Sequence, residues 1–246
     1  MARPKDRPRK TAVLVAQRIV ADIRRRGHVP GDRLPPEKLM LSEYSVGRGT
    51  LRESLRFLEL QGVISLKPGP GGGPVVEVPD ASGLARSLLL LLQFNGAPFT
   101  SVIEARSDLE PLLAGLAAQR MADEQLKEIG DTIEAMREGM DDRDVFLESD
   151  RRFHEAIAWS SGNPMHGFLV EALLEMIDDA ALGVDYPARY RTAVVNAHSR
   201  VYKALKNRDT QASMTAMRRH LDDFVGHATR QHPDRLTQPV SWGLPG

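Results

Sequence analysis

Residues 30–78, PGDRLPPEKLMLSEYSVGRGTLRESLRFLELQGVISLKPGPGGGPVVEV, decide how the N-terminal part of this chain folds. The pattern predicts a short helix over 36–44, a tight turn at Ser45-Val46-Gly47 and a second helix over 48–61, the arrangement of a helix-turn-helix. Gly62 closes the second helix, because glycine accepts the left-handed conformation on which many helices end. Beyond it, the β-rich runs 63–67 and 75–78 flank a Pro/Gly loop and predict a two-stranded wing, so the module reads as a winged helix. Upstream, Thr11 is placed to cap a helix whose apolar residues Ala12, Val15, Ala16, Ile19 and Ile23 share one face. That face is expected to cover a core of Leu39, Leu51, Leu55 and Leu58.

Charge separates this module from the rest. The whole chain is balanced, with 33 basic and 33 acidic side chains, but residues 1–78 hold 15 Lys/Arg against 8 Asp/Glu and the remainder 18 against 25. A net +7 beside a net −7 is an argument about partners: the cationic part can displace counterions from a polyanion and the anionic part cannot. A run such as Arg24-Arg25-Arg26 is by itself a solvated face; its coincidence with the turn motif points to nucleic acid. The second helix opens with Arg48, Thr50 and Arg52 in its first turn or so, where helix-turn-helix proteins touch bases and phosphates. An arginine fork grips guanine O6/N7 or a phosphate in bidentate fashion. The alternative for Arg52 is an ion pair with an acidic neighbour on its own helix, Glu53 or Glu59.

The order PGDRLP, Glu37-Lys38, Arg48-x-Thr50-Leu51-Arg52-Glu53-x-Leu55 and Leu58-Glu59-x-x-Gly62 resembles the GntR family of bacterial transcription regulators over residues 10–78. The resemblance implies base or phosphate contacts from Lys38, Arg48, Thr50 and Arg52, and a minor-groove contact from the wing tip, where Lys67 is the one side-chain donor. Gly47 and Gly49 stand where the family usually has Ser or Thr; there the backbone N–H groups at the helix start can approach a phosphate instead.

After a short linker at 79–82 the pattern is helical throughout. Helices are expected over 83–94, 101–121, 123–140, 143–160, 164–182, 186–206 and 209–231, about 150 residues in all, enough for one antiparallel bundle core. The apolar run 88–92 falls short of the roughly 20 residues that span a bilayer, so its helix is expected to be buried in the bundle. The expected fold is therefore mainly α, a winged helix-turn-helix over 1–78 followed by an all-helical domain over 83–232 and a loose tail over 233–246.

Within the bundle, Asp150 and His154 are four residues apart and leave one helical face. Asn207-Arg208-Asp209 breaks the pattern between the last two helices, and His198 and His220 lie 11 positions either side of Asp209. In a hairpin they stand level, among the apolar neighbours Val201, Leu205, Met217, Leu221 and Phe224 that face the interior. Three imidazoles and a carboxylate suit a divalent transition ion such as Zn²⁺, Ni²⁺ or Mn²⁺, with a vacant position for water or a ligand oxygen. Arg106 sits among Ile103, Leu109, Leu113 and Leu116, where a buried guanidinium requires an anion. Either Glu110, one turn on, or a bound carboxylate can supply it.

Glu104-Ala105-Arg106-x-x-Leu109-Glu110, Asp150-x-x-Phe153-His154, Ser161-Gly162-Asn163 and the His198/His220 pair resemble the FadR-like effector domain of the same family, the FCD domain, over about 83–230. That resemblance implies metal ligation by Asp150, His154, His198 and His220, and a carboxylate effector on Arg106. It further implies a homodimer that reads a two-fold double-stranded operator, usually as a repressor. Effector binding would then shift helix packing and reposition the two DNA-reading heads. Two other readings exist: a metalloenzyme whose Asp/His site activates water, and an architectural DNA binder indifferent to small molecules. The absence of cysteine excludes disulfides and thiolate ligands and fits a cytoplasmic protein with neither a secretory signal nor a membrane span.

Overall fold

A computed structural model describes residues 7–69, 72–177, 187–231 and 233–240. The chain divides into two compact units, Met1–Gly83 and Leu84–Gly246.

In the first unit, α1 (Arg7–Arg26) packs on α3 (Arg48–Leu60), with α2 (Glu37–Tyr44) beside them. The α1 face foreseen from spacing is buried, with Val15, Ala16, Ile19 and Ile23 meeting Leu51, Leu55 and Leu58 in one core. Two expectations change. Helix α1 is already formed at Arg7, so Thr11 lies inside it rather than at its N-cap. Leu39 is 60% exposed, and Met40 takes the core position expected of it. In a helix of only eight residues the buried pair is Met40 and Tyr44, one turn apart, and Leu39 lies about 100° around from them.

The turn between α2 and α3 rests on Ser45, which is left-handed with φ 53°. At the other end of α3, Gly62 N–H donates to Glu59 O (3.0 Å) and Val63 N–H to Leu58 O (3.0 Å). That paired pattern needs a left-handed residue, and Gly62 supplies it with φ 70°. The wing pairs β1 (Ile64–Lys67) with β2 (Gly73–Val76) antiparallel, Ile64 opposite Val76 and Lys67 opposite Gly73. Strand β2 thus starts two residues earlier than the β-rich run suggested and stops before Val78. Its other edge is covered by residues 32–34: Val76 N–H donates to Asp32 O (2.9 Å) and Leu34 N–H to Pro74 O (2.9 Å). Residues 70 and 71 of the wing tip lie outside the described residues.

The second unit contains α4 (Ser82–Phe94, which begins in the boundary segment), α5 (Thr100–Arg120), α6 (Asp123–Glu138), α7 (Arg143–Ser160), α8 (Pro164–Ile177), α9 (Ala188–Lys206), α10 (Thr210–Gln231) and the single turn α11 (Pro233–Thr237). The bundle is organised around α5, which is buried on nearly every side and packs on α7, α8, α9 and α10. Gly115 permits the close approach of α10, since a Cβ there would lie 2.7 Å from Met214 Cγ. The expected ends of helices 164–182 and 186–206 fall partly on residues outside the described ones.

Helix α4 departs from expectation: among its described residues only Ala85 is buried, while Leu91 and Phe94 are 61% and 88% exposed. Its leucines form a continuous run rather than a helical stripe, so no one face of the chain can cover them all. The described part of the segment expected as a loose tail, 233–240, departs too. Leu236 and Val240 are buried, Val240 N–H donates to Ala97 O (2.9 Å), and Phe99 N–H donates to Gln238 O (3.1 Å). Two apolar residues in a short polar stretch were enough to bring it back onto the bundle. Among the described residues no helix is long and apolar enough to cross a membrane.

Candidate functional site

Three helices converge on one buried cluster. Helix α7 contributes Asp150 and His154, α9 contributes His198 and α10 contributes His220. The hairpin between α9 and α10 is closed by Arg208, with φ 55°, and by Asp209, whose carboxylate accepts the N–H of Ala212 at 2.9 Å. Equal spacing from that turn brings His198 Nε2 and His220 Nε2 to 3.0 Å of each other. His220 Nε2 is 3.2 Å from His154 Nε2, and Asp150 Oδ1 is 3.4 Å from His198 Nε2. A ligand atom from each of the three histidines lies within 4.8 Å of the others. Phe153 stacks on His198 with ring centres 3.8 Å apart and sets that ring's plane.

Protons do not satisfy this cluster. His154 Nδ1 is 2.5 Å from Glu110 Oε2. Burial alone would raise Glu110, but Arg106 and His154 outweigh it and hold the carboxyl well below its ordinary value. Glu110 is therefore the acceptor of the bond from His154 Nδ1–H, and this bond turns His154 Nε2 toward His220. Burial, reinforced by the neighbouring imidazoles, lowers both His198 and His220 and keeps them neutral. One proton on His220 Nε2 can serve His154 or His198, not both. His198 Nδ1 is buried without a hydrogen-bond partner among the described residues. Converging Nε2 atoms with a carboxylate beside them are a donor set that a divalent cation satisfies at once, so the residues fit a metal.

The cluster opens on a cavity of about 410 Å³. Asp150, His154, His220 and Arg106 line it at the cluster, and Tyr190 and Phe224 contribute to the rest of its lining. His198 does not line this cavity and approaches the cluster from behind. Burial pushes Asp150 upward, opposed by His154 and Arg106. Arg106 is 5% exposed and its Nε–H is bonded to Glu110 Oε1, so the internal ion pair foreseen as an alternative is present. It does not displace Arg106 from the cavity wall, and the two readings of this residue are compatible. What the sequence did not reveal is that the same Glu110 also holds His154. The two residues are 44 positions apart, and no local periodicity links them.

On the DNA-reading unit, Arg48, Arg52, Lys38 and Lys67 are exposed and Thr50 is half-buried. Arg52 is bonded to an acid, but on α2 rather than on its own helix: its Nε lies 3.0 Å from Glu37 Oε1. Arg56 was overlooked in the sequence. It is exposed and continues the face of Arg48 and Arg52 at steps of four, a periodicity visible in the sequence itself.

Comparison with known proteins agrees with both units. Residues 11–72 match the family described as bacterial regulatory proteins, gntR family, and residues 101–223 match the FCD domain. The HTH-type transcriptional regulator YcbG of Bacillus subtilis is 34% identical over 192 residues, 78% of each chain. The HTH-type transcriptional repressor NanR of Citrobacter rodentium is 26% identical over 92% of this chain and 89% of its own. Among solved structures, a Streptococcus agalactiae GntR protein superposes with a TM-score of 0.65 at 24% identity, over 87% of this chain and 98% of that one, which supports the fold. With its DNA-reading unit and its helical domain both matched, the chain belongs to the GntR family of bacterial regulatory proteins: it is a helix-turn-helix transcription regulator with an FCD effector domain, and not an enzyme.

Proposed function

We propose that the protein is a cytoplasmic repressor whose hold on its operator is set by a small carboxylate bound beside a divalent metal. The observation that carries this reading is the buried histidine cluster opening on a cavity that also contains Arg106. Asp150, His154, His198 and His220 would hold the ion, with Zn²⁺ the best match to three imidazoles and one carboxylate and Ni²⁺ or Mn²⁺ also accepted by such a set. When bound, the ion supplies a Lewis-acidic position for a carboxylate oxygen. Arg106 faces the same space with a fixed charge, so an anion entering the cavity gains a charge-assisted hydrogen bond in a site shielded from water. Water-filled and anion-filled cavities favour different packing of the helices around them, and that difference in free energy is the whole of the regulatory signal.

DNA contact is proposed for Lys38, Arg48, Thr50 and Arg52, with Lys67 at the wing. A homodimer would present two such heads to half-sites about one helical turn apart. The name of the NanR relative supports the sign of the response as repression. The test combines two measurements on the purified full chain. Metal content by mass spectrometry is expected near one ion per chain and lost in the His198→Ala/His220→Ala double variant. Operator binding by fluorescence anisotropy, titrated with a panel of small mono- and dicarboxylates and sugar acids, is expected to weaken with one of them. That response should vanish in Arg106→Ala or after chelation. Full metal content in the double-histidine variant would refute the ligand set; an operator affinity indifferent to the entire panel would refute the carboxylate effector.

A further inference from the structure

Helix α3 carries Arg48, Arg52 and Arg56 at steps of four, and among the described residues only the middle one has an acidic partner. Arg52 Nε–H donates to Glu37 Oε1 at 3.0 Å. Glu37 opens α2, so the bond ties the start of one helix of the helix-turn-helix to the start of the other. The pair lies on the surface, with the two side chains 65% and 37% exposed, and an exposed pair contributes little to stability in water. Its consequence lies in what Arg52 does when DNA arrives. We propose that Glu37 is a positioning residue for DNA reading, reserving Arg52 for a base edge and withholding it from the phosphate backbone. The inference rests on the DNA contact proposed above for Arg52 and adds to it the residue that decides which kind of contact is made.

A guanidinium on a flexible stem finds phosphates in every DNA sequence, and a contact of that kind positions a protein without telling one sequence from another. Glu37 opposes this in two ways. The first is charge: Arg52 and Glu37 together are neutral, so the pair releases few counterions from a polyanion, and the carboxylate repels any phosphate that approaches it. The second is geometry: the bond is made through Nε–H and does not use the two terminal nitrogens, the fork that bridges guanine O6 and N7. A side chain held in advance also loses less freedom on binding. When DNA covers the pair and displaces water, the attraction between Glu37 and Arg52 strengthens. A phosphate therefore gains little from Arg52, whereas a guanine loses nothing. Arg56, with no acid beside it among the described residues, keeps its full charge for the backbone.

Two duplexes serve as probes: one selected by the full wild-type chain from a random-sequence pool, and one of mixed sequence that lacks the selected site. Affinity for each is read by fluorescence anisotropy over a salt series. Glu37→Gln keeps the size of the side chain and removes its charge. It is expected to bind the mixed-sequence duplex more tightly than the wild type and to steepen the fall of log K with log salt by about one unit per head. The ratio of selected to mixed affinity should drop by about 10-fold, with the loss at the one base pair per half-site that Arg52→Ala also flattens. In the Arg52→Ala background, Glu37→Gln should leave that ratio unchanged, because its effect passes through Arg52. Melting temperature does not discriminate, since a carboxylate also suits the N-terminus of α2, but a merely structural role does not move the ratio at a single base pair. A Glu37→Gln protein that keeps the wild-type ratio, changing both affinities by one factor, would overturn the proposal. So would a ratio that falls as far in the Arg52→Ala background, which makes Glu37 a reader in its own right. If Arg52→Ala alone leaves base preference intact, the DNA contact proposed for Arg52 falls and the inference with it.

Discussion

Under the proposed DNA contacts, Arg52 is a base-reading side chain whose preparation before DNA arrives can be followed at one bond. Its Nε is bonded to Glu37 Oε1 at 3.0 Å, a bond that does not use the pair of terminal nitrogens, the edge that matches guanine O6 and N7. Replacing Arg48 or Arg52 by alanine is expected to weaken operator binding by roughly 10- to 100-fold and to flatten base preference at one position per half-site, which a binding competition among operator variants will read. Arg56, two turns along the same face, is expected to behave differently. Arg56→Ala should weaken all sequences alike and reduce the slope of log K against log salt by about one unit per head. Tyr44 provides a residue-level pH signature in the same unit. Burial and the hydrogen bond to Asp22 at 3.0 Å push its phenol up to about 12. The folded form therefore holds the proton more tightly than the unfolded one. This stabilisation is complete below pH 10 and is lost as pH rises from 10 through 12. A melting series across that window should fall more steeply for the wild type than for Tyr44→Phe.

At the scale of elements, most of the helices were legible because their signals are local. Apolar spacing located α1, and the break at Asn207-Arg208-Asp209 located the hairpin whose symmetry levels His198 with His220. Gly62 marked the end of α3, and its φ of 70° makes it the one position in that turn where a side chain is penalised. Gly62→Ala is expected to cost about 1–2 kcal/mol in the stability of the DNA-reading unit, measurable by chemical denaturation, with the fold retained. What was not legible depended on contacts between distant parts. Leu39 and Met40 are equally apolar, and only the direction of α2 against α1 and α3 decides which is buried. The pairing of β2 with residues 32–34 has no hydrophobic alternation to announce it, because the hydrogen bonds that make it are between backbone groups. Glu110 was visible as a partner for Arg106 one turn away, but its bond to His154 needed the packing of α5 on α7.

For the whole molecule, charge and symmetry set the expectations. The net +7 of residues 1–78 beside the net −7 of the remainder predicts operator binding that falls steeply with salt, and an isolated helical domain with no DNA affinity of its own. Light scattering of the full chain is expected to give twice the 27.2 kDa of one chain, as reading a two-fold operator requires. A monomer at micromolar concentration with full operator affinity would sink the two-head reading. The packed C-terminal segment has a practical consequence for where the effector domain may be cut. The family match ends at residue 223 and the long α10 at Gln231, so either would serve as a natural boundary for a shortened protein. Both cuts remove Leu236 and Val240 and strip the backbone partners from Ala97 and Phe99, at the foot of the same α5 that bears Arg106 and Glu110. A truncated domain made that way would be handicapped in ligand screening for reasons unrelated to its ligand, whereas one extended through Val240 keeps the floor of the bundle intact.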